Sequence, residues 1–284
     1  MVKQKTYTIN NIGLQTYEAG TAGQPLILFL HGFPELGQAW YRQLYFFAGP
    51  GFHVVAPNQR GYNQSSKPSG VKAYTIQHLT TDIAGLIKQL TSGKVYLVGH
   101  DWGGAVAWAM ALRYPELIEK LIILNMPHPA VMHEHLRDNP KQRHRSWYAG
   151  FFQLPILPEL LCRAFNYRSL EKTLVNTALP NTFSPAQIAL YKKAWRQPGA
   201  LTAMINWYRA YRYEPITNPE PIVLPTLLVW GKKDVFLRTE MAQPSIEKCR
   251  HGQLKFIDEA THWLHHEKPD VVNQFILEFI QSSG

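Results

Sequence analysis

Short apolar runs recur along the chain at Leu26–Leu30, His53–Ala56, Lys94–Val98, Leu121–Leu124, Thr226–Trp230 and Leu254–Ile257. Runs of this kind read as central strands whose two faces are both covered. Nearer the start, residues 5–10 and 13–18 alternate between polar and apolar, and Asn10-Asn11 with Gly13 supplies the turn of a hairpin. The pattern therefore predicts eight strands. Helical spacing lies between them. Ile76, Leu79, Ile83, Leu86, Ile87 and Leu90 line one face of a helix over 75–90 that stops before Ser92-Gly93, and further helices are predicted over 105–113 and 270–280. Strands that alternate with helices predict a largely parallel α/β sheet.

One long segment interrupts the alternation. From about His128 to about Pro221 no strand-like run occurs, while aromatics, prolines and helical patterns abound. Ser184-Pro185 opens a helix with a capping residue and proline at its first position, and Gly199 precedes another over 200–213. This predicts an α-helical cap inserted between two strands, on the side where the turn at Asp101 opens. The division is then a first part of the core over 1–128, the cap or lid over 129–215, and the rest of the core over 216–284.

Composition adds bounds. With 284 residues, 45% hydrophobic and 17% charged, the chain carries the core of a soluble globular enzyme. The formal charge of +9 admits nucleic acid, an acidic membrane surface, or solubility alone. The cations are scattered apart from Lys141–Arg145, and no recognition motif accompanies them, so solubility is the reading and no nucleic acid is expected. Cys162 and Cys249 lie far apart, without C-x-x-C or metal-ligand spacing. No signal-type or membrane-length apolar segment occurs. A cytoplasmic protein with reduced thiols and no membrane insertion is expected.

The chemistry centres on Val98-Gly99-His100-Asp101-Trp102-Gly103-Gly104, which joins a buried strand to a helix. This is the pattern of a nucleophile elbow, in which glycines flank one raised side chain; the usual serine is replaced by Asp101. Serine attack on saturated carbon would give an ether that this machinery cannot hydrolyse. Aspartate attack gives an alkyl ester, which water can cleave at the aspartate's own carbonyl. Asp101 therefore points to an electrophilic sp³ carbon, in an epoxide or an alkyl halide.

Cleaving that ester needs a base. His262, in Thr261-His262-Trp263 after the last strand, supplies it, and Asp234, just beyond the preceding strand, orients it. The chain order Asp101, Asp234, His262 is that of the elbow fold. The other common position for the acid, after the 121–124 strand, holds Asn125, which favours Asp234. The oxyanion hole is assigned to the backbone N–H groups of Trp102 and Phe33. His133, His135, His265 and His266 invite a metal reading, but no third ligand is indicated, and no metal or other cofactor is expected.

Taken together, His31-Gly32-Phe33-Pro34-Glu35, Arg60–Ser66, Gly99–Gly104, Gly231-Lys232-Lys233-Asp234 and Thr261-His262-Trp263 resemble the epoxide hydrolases of the α/β-hydrolase fold. The likeness continues through the cap in Asn125–Pro129, Trp147–Gln153 and Asn206-Trp207-Tyr208-Arg209, and so covers nearly the whole chain. It implies an α/β-hydrolase fold with an eight-stranded, mostly parallel sheet and a helical cap. It also implies that Tyr148 and Tyr208 hold and protonate the epoxide oxygen, and that Phe33-Pro34 is cis. His31, Pro34, Trp102, Phe152 and Trp263 are implied to border the substrate.

An opening epoxide becomes a strongly basic alkoxide, which phenols suit as donors; a halide needs only neutral ones. Many similar dehalogenases place Asn where this chain has Phe33, and fluoroacetate-type enzymes place Arg where it has Trp102. The reading is hydrolysis of a small-molecule epoxide by water to a vicinal diol, with an apolar, aryl or lipid-like substrate and a homodimer left open. A haloalkane dehalogenase and a non-catalytic hydrolase-fold ligand receptor are the alternatives.

Overall fold

Leu26, Leu28 and Leu30 pack into one hydrophobic core, while Ile27 and Phe29, the residues between them, pack into another. That is the period of two of a strand covered on both faces. The computed structural model describes residues 1–214 and 220–282. Its strands are β1 (Lys3–Ile9), β2 (Ile12–Ala19), β3 (Leu26–Leu30), β4 (His53–Pro57), β5 (Val95–His100), β6 (Ile118–Leu124), β7 (Ile222–Gly231) and β8 (Cys249–Ile257). They form one sheet in the order β1-β2-β4-β3-β5-β6-β7-β8. The pairs β1–β2 and β2–β4 are antiparallel and the rest are parallel. Asn10 and Asn11 both take positive φ in the tight turn of the hairpin, a conformation that asparagine tolerates.

The helices before the cap are α1 (Tyr41–Ala48), α2 (Ile76–Leu90) and α3 (Trp102–Arg113). Those of the cap are α4 (Pro129–Asp138), α5 (Pro140–Arg145), α6 (Trp147–Phe151), α7 (Leu157–Thr177), α8 (Pro185–Trp195) and α9 (Ala200–Ala210). After it come α10 (Ala242–Ile246), α11 (Leu264–Glu267) and α12 (Pro269–Gln281). Leu79, Ile83 and Leu86 of α2 and Trp108 of α3 fill the core on one face of the sheet. Leu44 and Phe47 of α1, with Val272, Ile276 and Phe279 of α12, fill the other. Several boundaries differ from the sequence reading, among them the starts of β7 and β8, expected at 226 and 254, and the end of α9, expected at 213. The helix after the elbow begins at Trp102 rather than 105, and α1 had no signal: its N-cap, Trp40, offers no side-chain hydrogen bond.

The cap is helical from end to end, and no strand lies between β6 and β7 among the described residues. The expected boundary at 215/216 falls outside the described residues. Ser184 caps the start of α8 with Pro185 at its first turn, as the Ser-Pro pair predicted, and Gln187 completes a reciprocal capping box. α9 buries ten of its eleven residues and serves as the spine of the cap. α7 is broken at Ala164–Tyr167, where Phe165, Asn166 and Tyr167 take left-handed φ without a glycine or proline to announce it. Several long-range hydrogen bonds seat the cap on the core, including those donated by four buried cap side chains. Tyr191 Oη donates to Glu35, Trp195 Nε1 to the Pro34 carbonyl, Trp207 Nε1 to the Arg60 carbonyl, and Gln142 Nε2 to the Phe236 carbonyl.

The sheet order also places the site. The chain runs from β3 to β4 on one side, then crosses back to β5 on the other. The carboxyl ends of β3 and β5 therefore diverge into a crevice, the usual binding position in such sheets. Phe33 follows β3 and Asp101 follows β5.

Candidate active site

Asp101 sits in the turn between β5 and α3 with φ 50° and ψ −125°. Holding a non-glycine residue in such a conformation costs about 1–3 kcal/mol. Close packing around the turn maintains it: a Cβ on Gly103 would lie 2.2 Å from the Leu30 carbonyl oxygen, and one on Gly99 would lie 2.4 Å from that of Gly103. Both glycines are thus required by backbone contact, as the elbow pattern predicted.

The Phe33 N–H donates to Asp101 Oδ1 at 2.8 Å, and the Phe33-Pro34 peptide is cis. Trp102 opens α3, so its own N–H has no intrahelical acceptor. Asp101 Oδ2 faces His262 Nε2 at 3.6 Å, and His262 Nδ1 lies 2.7 Å from Asp234 Oδ2. The three residues named from chain order thus meet in one line.

Asp234 is held on every side. The N–H groups of Phe236 and Leu237 donate to its Oδ1 at 2.7 and 2.9 Å, and Asn125 Nδ2 donates to its Oδ2 at 2.6 Å. Asn125 Oδ1 in turn accepts from Gly231 N–H at 2.7 Å. Asn125 is fully buried, with φ 42°, at the end of β6. Sequence reasoning used it only as the absence of an acid and missed this part; an amide in place of a carboxylate at that strand end was the available signal.

His100 was missed as well. Its Nε2 lies 2.8 Å from the His262 carbonyl, which can only accept, so Nε2 carries the proton. Behind it lies a buried cluster around Glu35. His266 Nε2 is 2.5 Å from Oε1, and His100 Nδ1 and His265 Nε2 each lie 3.4 Å from Oε2. Among the described residues, Glu35, His265 and His266 form one group whose donor atoms lie within 4.8 Å of each other. Their side chains converge on a single carboxylate that also receives Tyr191 of the cap. Burial opposes the charge on Glu35, but the neighbouring His266 and His265 rings hold its carboxyl well below the usual range.

The electrostatics of the central line are coupled. Burial disfavours a charged His262, yet Asp234 and Asp101 overcome this and push its pKa up to about 10. For Asp101, burial again opposes the charge, and His262, His100 and the Phe33 N–H together bring its carboxyl below the ordinary value. Burial first, then the Asp101 charge, raises the phenols of Tyr148 and Tyr208 well above their usual range. Both therefore stay protonated.

Two cavities meet at Asp101. The larger, about 650 Å³, is bounded by Phe33, Phe152, Phe236, His262 and Trp263 among others; the smaller, about 160 Å³, by Trp102, Met126, Met132 and Leu237. Asp101, Tyr148 and Tyr208 border both. Tyr148 comes from α6 and Tyr208 from α9, with ring centroids 6.0 Å apart. Arg209 holds this part of the cap together: it pairs with Glu159 at 2.6 Å and donates to the Phe152 and Leu154 carbonyls.

Of the residues expected along the substrate, Trp102, Phe152 and Trp263 line these cavities, whereas His31 and Pro34 line neither. His31 is turned inward, its Nε2 accepting from Gln59 N–H at 3.2 Å, and burial lowers its pKa to about 4, so the ring is neutral. The Pro34 carbonyl is taken by Trp195. Both residues shape the loop after β3 rather than bordering ligand space.

The chain matches the alpha/beta hydrolase fold family over residues 25–269. It is 45% identical over 99% of both chains to AB hydrolase superfamily protein YfhM of Bacillus subtilis. It is 36% identical to Epoxide hydrolase 4 of Mus musculus, over 93% of this chain and 75% of the relative. Among solved structures, the Bacillus megaterium epoxide hydrolase, crystallised with an inhibitor, superposes with a TM-score of 0.90 at 31% identity, over 98% of this chain and 100% of that one. With this fold, this sheet order and this degree of likeness along its length, the chain belongs to the α/β-hydrolase fold family, in the group that contains these epoxide hydrolases.

Proposed function

We propose that the protein hydrolyses apolar epoxides to vicinal diols through a covalent ester on Asp101. The observation that carries this reading is the placement of two protonated phenols, Tyr148 and Tyr208, on the walls shared by both cavities beside an aspartate nucleophile. Oδ1 of Asp101 is held by the Phe33 N–H, which leaves Oδ2 to form the new bond. Oδ2 attacks an oxirane carbon, the C–O bond breaks, and the oxygen takes a proton from a tyrosine. The product of this step is an alkyl ester whose carbonyl oxygen rests against Phe33 and Trp102.

Esterification removes the Asp101 charge, and with it one of the two carboxylates that keep His262 protonated. The ring passes its extra proton, through solvent, to the tyrosinate left by ring opening and becomes a competent base. It takes a proton from water, the water oxygen attacks Cγ of Asp101, and the diol oxygen leaves with the proton from His262. Asp101 is regenerated carrying one oxygen from water, and its new carboxyl proton passes to His262, which restores the carboxylate and the imidazolium. Asp234, fixed by Asn125 and two backbone N–H groups, holds the ring through both changes of charge.

The same nucleophile, base and acid suit a haloalkane dehalogenase, but the apolar Phe33 side chain lies beside Asp101 and offers a halide no donor. The deciding experiment is mass spectrometry of intact protein mixed rapidly with styrene oxide or 1-bromobutane, for wild type and His262→Gln. An adduct of epoxide mass on the Asp101 peptide of the variant, with diol from wild type, is expected. An alkyl adduct from the bromide alone, with bromide release, would replace the reading with dehalogenation. Neither adduct nor turnover across a panel of epoxides would point to a ligand receptor.

A further inference from the structure

Among the described residues sixteen large hydrophobic side chains are exposed, and seven of them fall within the nineteen residues from Trp147 to Phe165. In the first part of α7, Leu157, Leu160 and Leu161 are exposed while Pro158 and Cys162 are buried, so an apolar stripe at helical spacing faces outward. On either side the backbone takes positive φ at exposed residues. Ile156 is 69% exposed with φ 64°, a conformation rare for a β-branched residue, and Phe165 is 87% exposed with φ 48°. Apolar clusters of this kind on a surface mark a place where something docks.

Charge identifies the occupant. Between residues 138 and 171 the chain carries Lys141, Arg143, Arg145, Arg163 and Arg168 against three carboxylates, Asp138, Glu159 and Glu171, each already paired with a cation outside that set, Arg137, Arg209 and Lys192. Lys141, Arg143, Arg163 and Arg168 are exposed. A second copy of the chain placed on this face by two-fold symmetry would set these cations against themselves. We propose that this face of the cap docks on an anionic lipid bilayer, with Ile156, Leu160 and Phe165 entering the interface and the cations meeting lipid head groups. The protein lies on the membrane; no helix of the described residues is long and apolar enough to cross one. Trp147 and Leu161 belong both to this face and to the wall of the large cavity, so the cavity opens towards the lipid. Binding is independent of the reaction, since none of the four residues altered below lines either cavity.

The test is sedimentation of the whole protein, without substrate, with vesicles of phosphatidylcholine alone or mixed with phosphatidylglycerol. Trp147 is the exposed tryptophan, and its emission is followed in parallel. Binding to the mixed vesicles with a blue shift is expected, weakened by salt. Ile156→Ser with Phe165→Ser should lower the affinity about 10-fold and remove the shift. Lys141→Gln with Arg143→Gln should lower the affinity while keeping residual insertion. All four positions are exposed, so folding is expected to survive, and turnover of a water-soluble epoxide checks this. Equal binding to both vesicle types, or none to either, would overturn the proposal. So would dimerisation in analytical ultracentrifugation that the Ile156→Ser, Phe165→Ser variant abolishes, which would assign the face to a second copy.

Discussion

Nε2 of His262 stands 3.6 Å from Oδ2 of Asp101, while Nδ1 of the same ring lies 2.7 Å from Asp234. One imidazole is thus shared by two carboxylates, and its charge depends on whether both are ionised. In the free protein, burial is outweighed by Asp234 and Asp101, and the ring stays charged up to a pKa of about 10. Nitrogen-15 NMR of the His262 ring should show the imidazolium at pH 8 in wild type and a marked downward shift of its titration in Asp101→Asn. A raised folded pKa stabilises the fold fully below the ordinary value of 6.5, and that stability is lost as pH rises through about 10. The thermal midpoint of wild type should therefore fall over this range more steeply than that of Asp101→Asn. Parallel slopes would mean that Asp101 does not hold the charge.

The two tyrosines make a prediction about one step only. Tyr208→Phe and Tyr148→Phe should each slow alkylation of Asp101 by about 10- to 100-fold, and the double change by more than either. Hydrolysis of the ester needs neither phenol, so its rate should hold within a few-fold. Stopped-flow tryptophan fluorescence separates the two phases, with Trp102 and Trp263 lining the cavities as reporters. A loss confined to the second phase would remove these residues from ring opening.

Asn125 acts through Asp234. Asn125→Ala leaves an Asp234 oxygen short of a donor and the Gly231 N–H without its acceptor, a loss of about 1–3 kcal/mol of stability per unsatisfied buried group. The expected result is a lower midpoint in urea. The pH dependence of ester hydrolysis should shift too, because the ring is now oriented by a less constrained acid. A purely structural role would lower the midpoint and leave the pH profile in place.

Much of this was legible in the chain because the relevant patterns are local. The alternation of Leu26–Leu30 between two cores follows from strand geometry, and Gly99 and Gly103 announce a turn that no other residue fits. The order Asp101, Asp234, His262 then sufficed to name three residues that meet. The parts that escaped depend on tertiary contact. Asn125 and Asp234 are joined across two strand ends, and the carboxylate of Glu35 is reached from three separate segments. His31 shows the opposite failure: its place in a motif suggested contact with ligand, but the fold turns it away. The left-handed run at 165–167 lacks any glycine or proline that would reveal it.

Several hydrogen bonds between cap and core end on buried groups, among them the Glu35 carboxylate and the Pro34 and Arg60 carbonyls. Swinging the cap away as a rigid body would break all of them at once, at about 0.5–1.5 kcal/mol net per bond and more where one group is charged, and would also expose the apolar surface between cap and core. The cap is therefore a fixed wall rather than a door. Traffic to Asp101 has to pass by rearrangement of single side chains at the rim, where Trp147 and Leu161 stand. Exchange of substrate and product then depends on rotamer motion at that rim, and turnover should respond to the bulk of those two side chains more than to the stiffness of the segments joining cap and core.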